Sequence, residues 1–434
     1  MKRLALVFLL ACASDAAPVW TGAPTTLHLV QGETQSVPLA LTDADGDAVT
    51  ATFTTSSLET DATQDALVLH APFDAPATDV LQAMLDDGRG EMTPYAIDVT
   101  IDPLGWKPDF SWSASAGPQA REHGTFLIDE ASRTVFLIGG SGYAPQGTAL
   151  DEFWKLDLDA QTWTQVTPTG DVPPALASAR AVRMPGTTTA YMFGGYTGDG
   201  STDTGELYRV AYGGGALAFT KLTQVSPPPP RELHGFGYDP TSQNFVVFGG
   251  NRGGVGPLAD TWIMQLSGDT ANWTKLSGPA PTPRYGFFYG TDEVAGRFIV
   301  FSGAQSAKSQ DPINAAQDTW ALDLRADPSS WTRVLDGTEP NHAPGRRNGC
   351  FVVDPRGPSL YVFGGTSDGM TTQPGLFALD MRPGHEGFSQ IARTGEPPLR
   401  SSDFGFYDAK TGAVSCGFGN SSGGIYTDVA AIGP

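Results

Sequence analysis

The sequence predicts an all-β protein in two parts, a ring of six four-stranded sheets preceded by a small β-sandwich. A short apolar segment ending in small residues recurs six times at a nearly constant interval. The chain holds 53 glycines and 34 prolines but only 17% charged residues, a balance that suits many short strands joined by turns. It has no amphipathic helical pattern of convincing length.

The first residues of the sequence predict an export signal. Met1-Lys2-Arg3 precede a short apolar run that ends at Cys12, and the run is too short to span a bilayer. Leu9-Leu10-Ala11-Cys12 resembles the lipobox of bacterial lipoproteins, which implies cleavage before Cys12 and acylation of that cysteine. The alternative is an ordinary signal cleaved after Ala16 or Ala17.

Cleavage at the lipobox would make residues 1–11 the signal peptide and residues 12–19 a tether between the lipid and the first domain. Ala13 and Ser14 follow the cysteine, so the aspartate that retains enteric lipoproteins in the inner membrane is absent. We therefore expect a lipid-anchored protein of a bacterial cell envelope, at the outer membrane, on its periplasmic or its surface face.

The repeat is marked by a bulky apolar pair followed by two small residues. Tracked at the first small position, the copies are 55, 55, 53, 62 and 54 residues apart. These first positions are Gly139, Gly194, Gly249, Ser302, Gly364 and, in a degraded sixth copy, Phe418. A period of this length corresponds to one four-stranded blade of a β-propeller.

An arginine lies eighteen residues before the small pair, and an aspartate lies eight residues after the arginine. The arginines are Arg121, Arg231, Arg284, Arg346 and Arg400, and the aspartates are Asp129, Asp239, Asp292, Asp354 and Asp408. The spacing predicts a hairpin with the aspartate capping its turn. The second copy differs, with Leu176 and Met184 at these positions.

A third and a fourth strand follow each small pair, but the chain ends after the third strand of the sixth unit, near Ile425 to Val429. A matching fourth strand, Phe110-Ser111-Trp112-Ser113, occurs before the first unit. We therefore expect strand 110–113 to close a six-bladed propeller over residues 107–434, with no exposed sheet edge.

Glycine pairs followed at a distance by tyrosine or tryptophan resemble the kelch repeat, also found in the central domain of galactose oxidase. The resemblance implies one blade per repeat. It does not decide the function, because kelch propellers occur in enzymes and in binding proteins. The histidine pair and the cysteine context of the copper-radical oxidases are not evident here.

Residues 20–104 predict an antiparallel sandwich that resembles the cadherin-like and immunoglobulin-like modules of bacterial surface proteins. Its acidic segments are Asp43-Ala44-Asp45-Gly46-Asp47 and Asp86-Asp87-Gly88. Asp43, Asp45 and Asp47 are candidate calcium ligands because alternating carboxylates on a loop suit that ion. The alternative is a solvated Asp/Gly turn, and the glycine position excludes an EF-hand.

Charge and cysteine content limit the partners. The net charge of −21 argues against nucleic acid and against anionic membrane surfaces. A disulfide between Cys350 and Cys416 is permitted in an exported protein, but two cysteines without a pattern do not establish one. We expect a monomer that touches the membrane only through its lipid.

The predicted ligand face carries the loops after the glycine pairs, which are variable and polar. The five arginines lie at the same end of their blades and are candidate ligand-binding residues for an anionic group. Alternatively, they bond backbone carbonyls between neighbouring blades. We expect a protein, peptide or polysaccharide ligand, no catalytic residues and no cofactor apart from calcium.

The alternative function is a sugar-modifying enzyme at the channel mouth. The resemblance in architecture to bacterial N-acetylneuraminate epimerase suggests it, and Arg121-Glu122 and Arg231-Glu232 have a suitable composition. No shared motif carries this comparison residue by residue.

Overall fold

The structure is a computed structural model that describes residues 15–107, 117–143, 146–198, 202–306, 314–369, 371–391, 396–402, 404–421 and 424–434. The chain divides into two compact units, Met1–Pro103 and Leu104–Pro434. All regular structure in the described residues is β. Over the same ranges, no helix is long and apolar enough to cross a membrane.

The first unit contains two sheets that share one core. One sheet has the strand order Thr26–Val30, Met92–Asp102, Thr78–Asp86 and Thr50–Thr54, and the other has Thr34–Pro38, Ala66–His70 and Glu59–Ala62. A short pair, Val19–Trp20 and Leu41–Thr42, flanks them. The alternating strands bury residues such as Leu29, Leu69 and Ile97 between the sheets.

One detail differs from the expected antiparallel arrangement. Thr26–Val30 pairs with Met92–Asp102 in parallel, with Leu27 opposite Val99. Parallel pairing is possible because the long stretch between these two strands supplies the crossover.

The described residues of the second unit form six large sheets, each built on four antiparallel strands, and four smaller sheets of two or three strands. We number the large sheets from 1 to 6 in chain order and give their strands from the innermost outwards. Sheet 1 is Thr125–Asp129, Thr134–Ile138, Phe153–Asp157 and Thr162–Gln165; sheet 2 is Arg180–Arg183, Thr189–Phe193, Leu207–Ala211 and Ala218–Lys221; sheet 3 is Gly235–Tyr238, Phe245–Phe248, Thr261–Ser267 and Thr270–Lys275. Sheet 4 is Phe288–Asp292, Arg297–Phe301, Thr319–Asp323 and Ser330–Leu335; sheet 5 is Cys350–Asp354, Ser359–Phe363, Leu376–Asp380 and Gly387–Ile391; sheet 6 is Phe404–Asp408, Ala413–Gly417, Val429–Gly433 and Gly105–Lys107.

Two of these sheets gain a fifth, outermost strand that runs parallel to the fourth. Thr169–Gly170 joins sheet 2 and Thr223–Val225 joins sheet 3. Each strand comes from the connection that leaves the preceding sheet, so it ties neighbouring sheets together.

The small pair connects consecutive sheets through a backbone hydrogen bond. The N–H of its second residue donates to the carbonyl of the residue at the arginine position of the next repeat, at 2.9 to 3.1 Å. The six donor–acceptor pairs are Gly140–Leu176, Gly195–Arg231, Gly250–Arg284, Gly303–Arg346, Gly365–Arg400 and Gly419–Arg121. The last pair joins the sixth repeat to the first, which makes the arrangement propeller-like.

A glycine is required at this joint where the backbones approach most closely. Gly139 has φ of 56° and Gly364 has φ of 65°, a region that favours glycine. A Cβ atom would lie 2.1 Å from the Leu176 carbonyl oxygen at the first position and 2.2 Å from that of Arg400 at the second.

The predicted turn caps are confirmed. Asp129 accepts hydrogen bonds from the backbone N–H groups of Ala131 and Ser132, and Asp292 does the same for Val294 and Ala295. All five aspartates are buried, and some also bind a neighbouring repeat. Arg133 of the first repeat, for example, donates to Asp408 of the sixth at 2.9 Å through its Nη2.

The strand predicted at 110–113 lies outside the described residues. The outermost strand of sheet 6 in the described part is Gly105–Lys107, with Trp106 opposite Ile432. The third strand of that sheet is Val429–Gly433, a few residues later than predicted.

Cys350 and Cys416 form a disulfide that joins the innermost strand of sheet 5 to the second strand of sheet 6. The sequence left this pairing open, because 66 residues separate the two cysteines and only the sheet packing brings them together.

Candidate functional site

The five repeated arginines are buried inside their own repeats. Their side chains are 0 to 1% exposed. Each guanidinium donates to the carbonyl of the first small residue eighteen positions later, and its Nε donates to a carbonyl two residues before the arginine. Each arginine therefore fixes the beginning of the innermost strand to the end of the second strand.

Four of these arginines also form an ion pair with an acid just before the third strand. The pairs are Arg121–Glu152 at 2.5 Å, Arg231–Asp260 at 2.7 Å, Arg284–Asp318 at 2.8 Å and Arg400–Asp428 at 3.0 Å. Arg346 is the exception, because it meets the carbonyl of Pro374 at 3.4 Å instead. Burial lowers the pKa of Arg346 to about 10.

These contacts match a structural role for Arg121, Arg231, Arg284, Arg346 and Arg400, within single repeats rather than between neighbouring blades. A ligand would have to displace internal partners to reach them, since they do not project from the surface. Their assignment to ligand binding stays a prediction that the contacts do not support.

The residue after each arginine position lies at the channel mouth, and we call this set the mouth ring. It consists of Glu122, Ala177, Glu232, Tyr285, Arg347 and Ser401. Each member forms a short antiparallel pairing or bridge with the residue after the small pair, respectively Ser141, Tyr196, Asn251, Ala304, Thr366 and Asn420. The segment that follows then folds back, as in Asn251–Arg252 with Gly256–Pro257.

The polar loops predicted to carry specificity are therefore small hairpins and bridged turns anchored to the mouth ring. In the third hairpin, which the structure describes throughout, Val255 at the tip is 63% exposed. Variable polar loops on a fixed base are an arrangement that suits recognition.

A second set, which we call the inner ring, lies one residue further along. It consists of His123, Ser178, Leu233, Gly286, Asn348 and Ser402, all with φ between 51° and 61°. Backbone N–H groups donate from Ser178 to His123, from Gly286 to Leu233, from Asn348 to Gly286, from Ser402 to Asn348 and from His123 to Ser402, at 2.5 to 3.1 Å. These bonds join the innermost parts of neighbouring repeats directly beside the mouth ring.

Two acids of the mouth ring are shielded from water. Burial raises the pKa of Glu122, although Ser402 and Asn420 form hydrogen bonds with it. Burial likewise raises the pKa of Glu232, whose carboxylate accepts a hydrogen bond from the Asn251 amide at 3.0 Å. Glu122 is thus held by side chains of the sixth repeat, and Glu232 by Asn251 of its own repeat.

Arg347 and Tyr285 of the mouth ring contact each other. The guanidinium of Arg347 donates to the hydroxyl of Tyr285 and lies over its ring, 5.1 Å from the centroid. Burial raises the pKa of Tyr196 to about 12. Burial lowers the pKa of His123 to about 3 and that of His234 well below its usual value, so both imidazoles are neutral at physiological pH.

The predicted calcium loop of the first unit forms a turn. Asp43 Oδ1 accepts hydrogen bonds from the backbone N–H groups of Asp45 at 2.8 Å and Asp47 at 3.4 Å, and Asp47 pairs with Arg89 at 2.7 Å. No group of three His, Cys, Asp or Glu residues able to hold a metal occurs in the described part of the chain. Calcium binding by Asp43, Asp45 and Asp47 stays a prediction.

The opposite end of the channel, where the first hairpin of each repeat turns, opens into a cavity of about 400 Å³. Its walls are the innermost strands of the sheets and are rich in aromatic side chains, including Phe126, Tyr289 and Phe351. The sequence predictions did not include this cavity.

The mouth ring was only partly foreseen. Glu122 and Glu232 were noted for their composition, but the other members differ in type at every copy. The signal that could have found them is their constant position, directly after the arginine or its Leu176 replacement.

Known proteins resemble this chain both in sequence and in fold. Residues 184–406, about half of the chain, match a family model described as the KLHDC2/KLHL20/DRC7 Kelch-repeats domain. Human host cell factor 1 is 26% identical over 267 residues, which cover 55% of this chain and 12% of that protein. Adagio protein 3 of Arabidopsis thaliana is 27% identical over 156 residues, which cover 36% of this chain and 23% of that protein.

The chain thus spans a small part of the length of these curated relatives. Among solved structures, that of YjhT superposes with a TM-score of 0.52 at 15% identity, covering 72% of this chain and 95% of YjhT. This likeness concerns the fold alone.

Proposed function

Because the chain belongs to the KLHDC2/KLHL20/DRC7 Kelch-repeats domain family, we propose that it is a binding protein whose ligand sits on the hairpin-bearing end of the channel. Kelch-repeat domains mediate protein interactions, so a protein or peptide comes before a polysaccharide as the ligand. The observation that carries the proposal is the set of variable polar hairpins anchored on the mouth ring.

In this proposal the six sheets are the blades of one closed six-bladed propeller. The small-pair hydrogen bonds support it, since they run from each repeat to the next and from Gly419 back to Arg121. The Arg133–Asp408 pair supports the same closure. A closed ring gives the hairpins a rigid base.

We further propose that the first unit is an immunoglobulin-like spacer and that the protein is a monomer anchored through Cys12 in a bacterial outer membrane. The lipobox supports the anchor. The Cys350–Cys416 disulfide supports export, because disulfides persist in oxidising compartments. Cys12→Ser should move the protein from the membrane to the soluble fraction, and unchanged fractionation would refute the anchor.

The ligand is sought with peptide and glycan arrays probed with the Cys12→Ser protein. The proposal expects saturable binding to one class of peptide or glycan and no turnover of it. Turnover of an acidic sugar without stable binding would instead support the sugar-modifying alternative and would contradict a purely binding role.

A further inference from the structure

The aromatic cavity at the turn end of the channel is separate from the hairpin-bearing face. It has the size of a small-molecule site, about 400 Å³. Aromatic side chains from five sheets line it, including Phe126, Phe236, Tyr289, Phe351 and Phe406. Such walls favour a ligand with an apolar or aromatic body.

A smaller chamber of about 110 Å³ continues the cavity towards the inner ring. It shares Phe126, Tyr289 and Phe351 with the larger space and adds Arg180 to the lining. The guanidinium of Arg180 lies over the Phe351 ring, 5.7 Å from its centroid. A cation therefore lies at the inner end of a cavity with aromatic walls.

Arg180 differs from the five repeated arginines in lacking an internal acceptor. Its Nε is buried without a hydrogen-bond partner, and within the described ranges its guanidinium forms no hydrogen bond or ion pair. Arg180 as a whole is half-buried, so its guanidinium is only partly solvated, and an anion that reaches it would gain a charge-assisted contact.

Among the described residues, the titratable groups around Arg180 do not neutralise its charge through a direct contact, so an external anion can pair with it. His123 and His234 are neutral there, since burial lowers the pKa of both. Burial raises the pKa of Glu232 while Arg180 lowers it, but this carboxylate is already bonded to Asn251 at 3.0 Å. Arg183 and Glu293 stand at the outer rim of the cavity.

The position of Arg180 sets the length of the ligand. Arg180 and the rim residue Arg183 are three positions apart on one strand, which corresponds to roughly 10 Å along the channel. We propose that the channel binds a small monocarboxylate with an aromatic or aliphatic body of about this length. Its carboxylate pairs with Arg180 and its body packs on the aromatic walls.

The test is isothermal titration of the full-length Cys12→Ser protein with 4-phenylbutyrate and with its uncharged amide. The acid should bind with one site per chain and the amide at least about tenfold more weakly, because the charge-assisted contact is lost. Arg180→Met should weaken binding of the acid at least about tenfold and bring acid and amide to similar affinities. Arg333→Met, at an exposed arginine on the outermost strand of sheet 4, is the matched control and should leave both affinities unchanged.

A second variant separates loss of the site from loss of the fold. Ala181→Leu narrows both chambers without touching the guanidinium, and it should also abolish binding of the acid. Denaturation curves of each variant show that it is folded. No binding of the acid, equal affinity for acid and amide, or unchanged binding in folded Arg180→Met would each overturn the proposal.

Discussion

At the scale of single residues, the repeated arginine shows how a charged side chain can be structural. Each guanidinium is fully buried yet satisfied by two carbonyls, and in four repeats by an acid. Removing one partner of a buried pair leaves the other uncompensated, which costs more than the pair itself contributes. Sequence spacing located these arginines, but the spacing alone could not distinguish a buried pair from a ligand contact.

Arg231→Leu should therefore lower the free energy of unfolding by about 3–5 kcal/mol, because Asp260 and the Gly249 carbonyl lose their donor. Arg333→Leu, at an exposed arginine, should change it by less than about 0.5 kcal/mol. Urea denaturation measures both variants. A folded Arg231→Leu protein with unchanged stability would show that the buried pair has no structural role.

Acid should destabilise the protein partly through Asp239. Burial raises the pKa of this carboxyl, but hydrogen bonds from Arg325 and Ser242 outweigh burial and lower the pKa to about 2. The folded pKa lies below the unfolded value, so the unfolded chain binds more protons between about pH 4 and pH 2. The stability that Asp239 contributes is complete above this window and is lost as the pH falls through it.

The free energy of unfolding of the native protein should therefore fall more steeply from pH 4 to pH 2 than that of Asp239→Asn. The other carboxyl groups are common to both proteins, so the difference between the two curves isolates Asp239. Parallel curves would contradict the assignment.

At the scale of elements, the hairpins and their caps could be predicted because arginine, aspartate and the small pair keep a fixed spacing. The mouth hairpins could not, because strands of two residues such as Leu176–Ala177 carry no period of alternation. Arg180 was also missed, although a signal existed. Four residues after the arginine position the other repeats carry Thr125, Gly235, Phe288, Cys350 and Phe404, none of them charged.

The Cys350–Cys416 disulfide links a strand of sheet 5 to a strand of sheet 6, and its contribution to the free energy of unfolding can be measured. It closes a stretch of 66 residues between sheets 5 and 6, so reduction should lower the free energy of unfolding by about 2–4 kcal/mol. Guanidinium denaturation with and without dithiothreitol tests this. The Cys350→Ala/Cys416→Ala protein should be insensitive to the reductant, and equal stability of the native protein in both conditions would refute the link.

At the scale of the whole molecule, the sequence predicts six repeats and a closing strand at residues 110–113, and this strand lies outside the described residues. In the described part, the fourth strand of sheet 6 is Gly105–Lys107, which comes from the N-terminal side of the first repeat. Its position was not settled by pattern, because Gly105–Lys107 is only three residues long and ends at residue 107, where the propeller was expected to begin.

Two shortened chains test which strand closes the ring. A chain beginning at residue 104 keeps Gly105–Lys107 and should unfold in one cooperative transition. A chain beginning at residue 109 keeps Phe110-Ser111-Trp112-Ser113 but loses the Gly105–Lys107 strand, so it should be markedly less stable to heat. Equal midpoints of thermal unfolding would assign the closure to residues 110–113 instead.

The central claim is that a macromolecular ligand binds at the hairpin-bearing end of the channel, and a matched pair of surface variants tests it most directly. Val255 is 63% exposed at a hairpin tip, and Val294 is 78% exposed at a turn at the other end. The measurement is the dissociation constant of an array-identified ligand for Val255→Asp and for Val294→Asp. We expect Val255→Asp to weaken binding at least about tenfold and Val294→Asp to leave it within about twofold, since both changes add one charge to an exposed valine but only the first lies on the binding face. Loss of binding in Val294→Asp with native affinity in Val255→Asp would contradict the account.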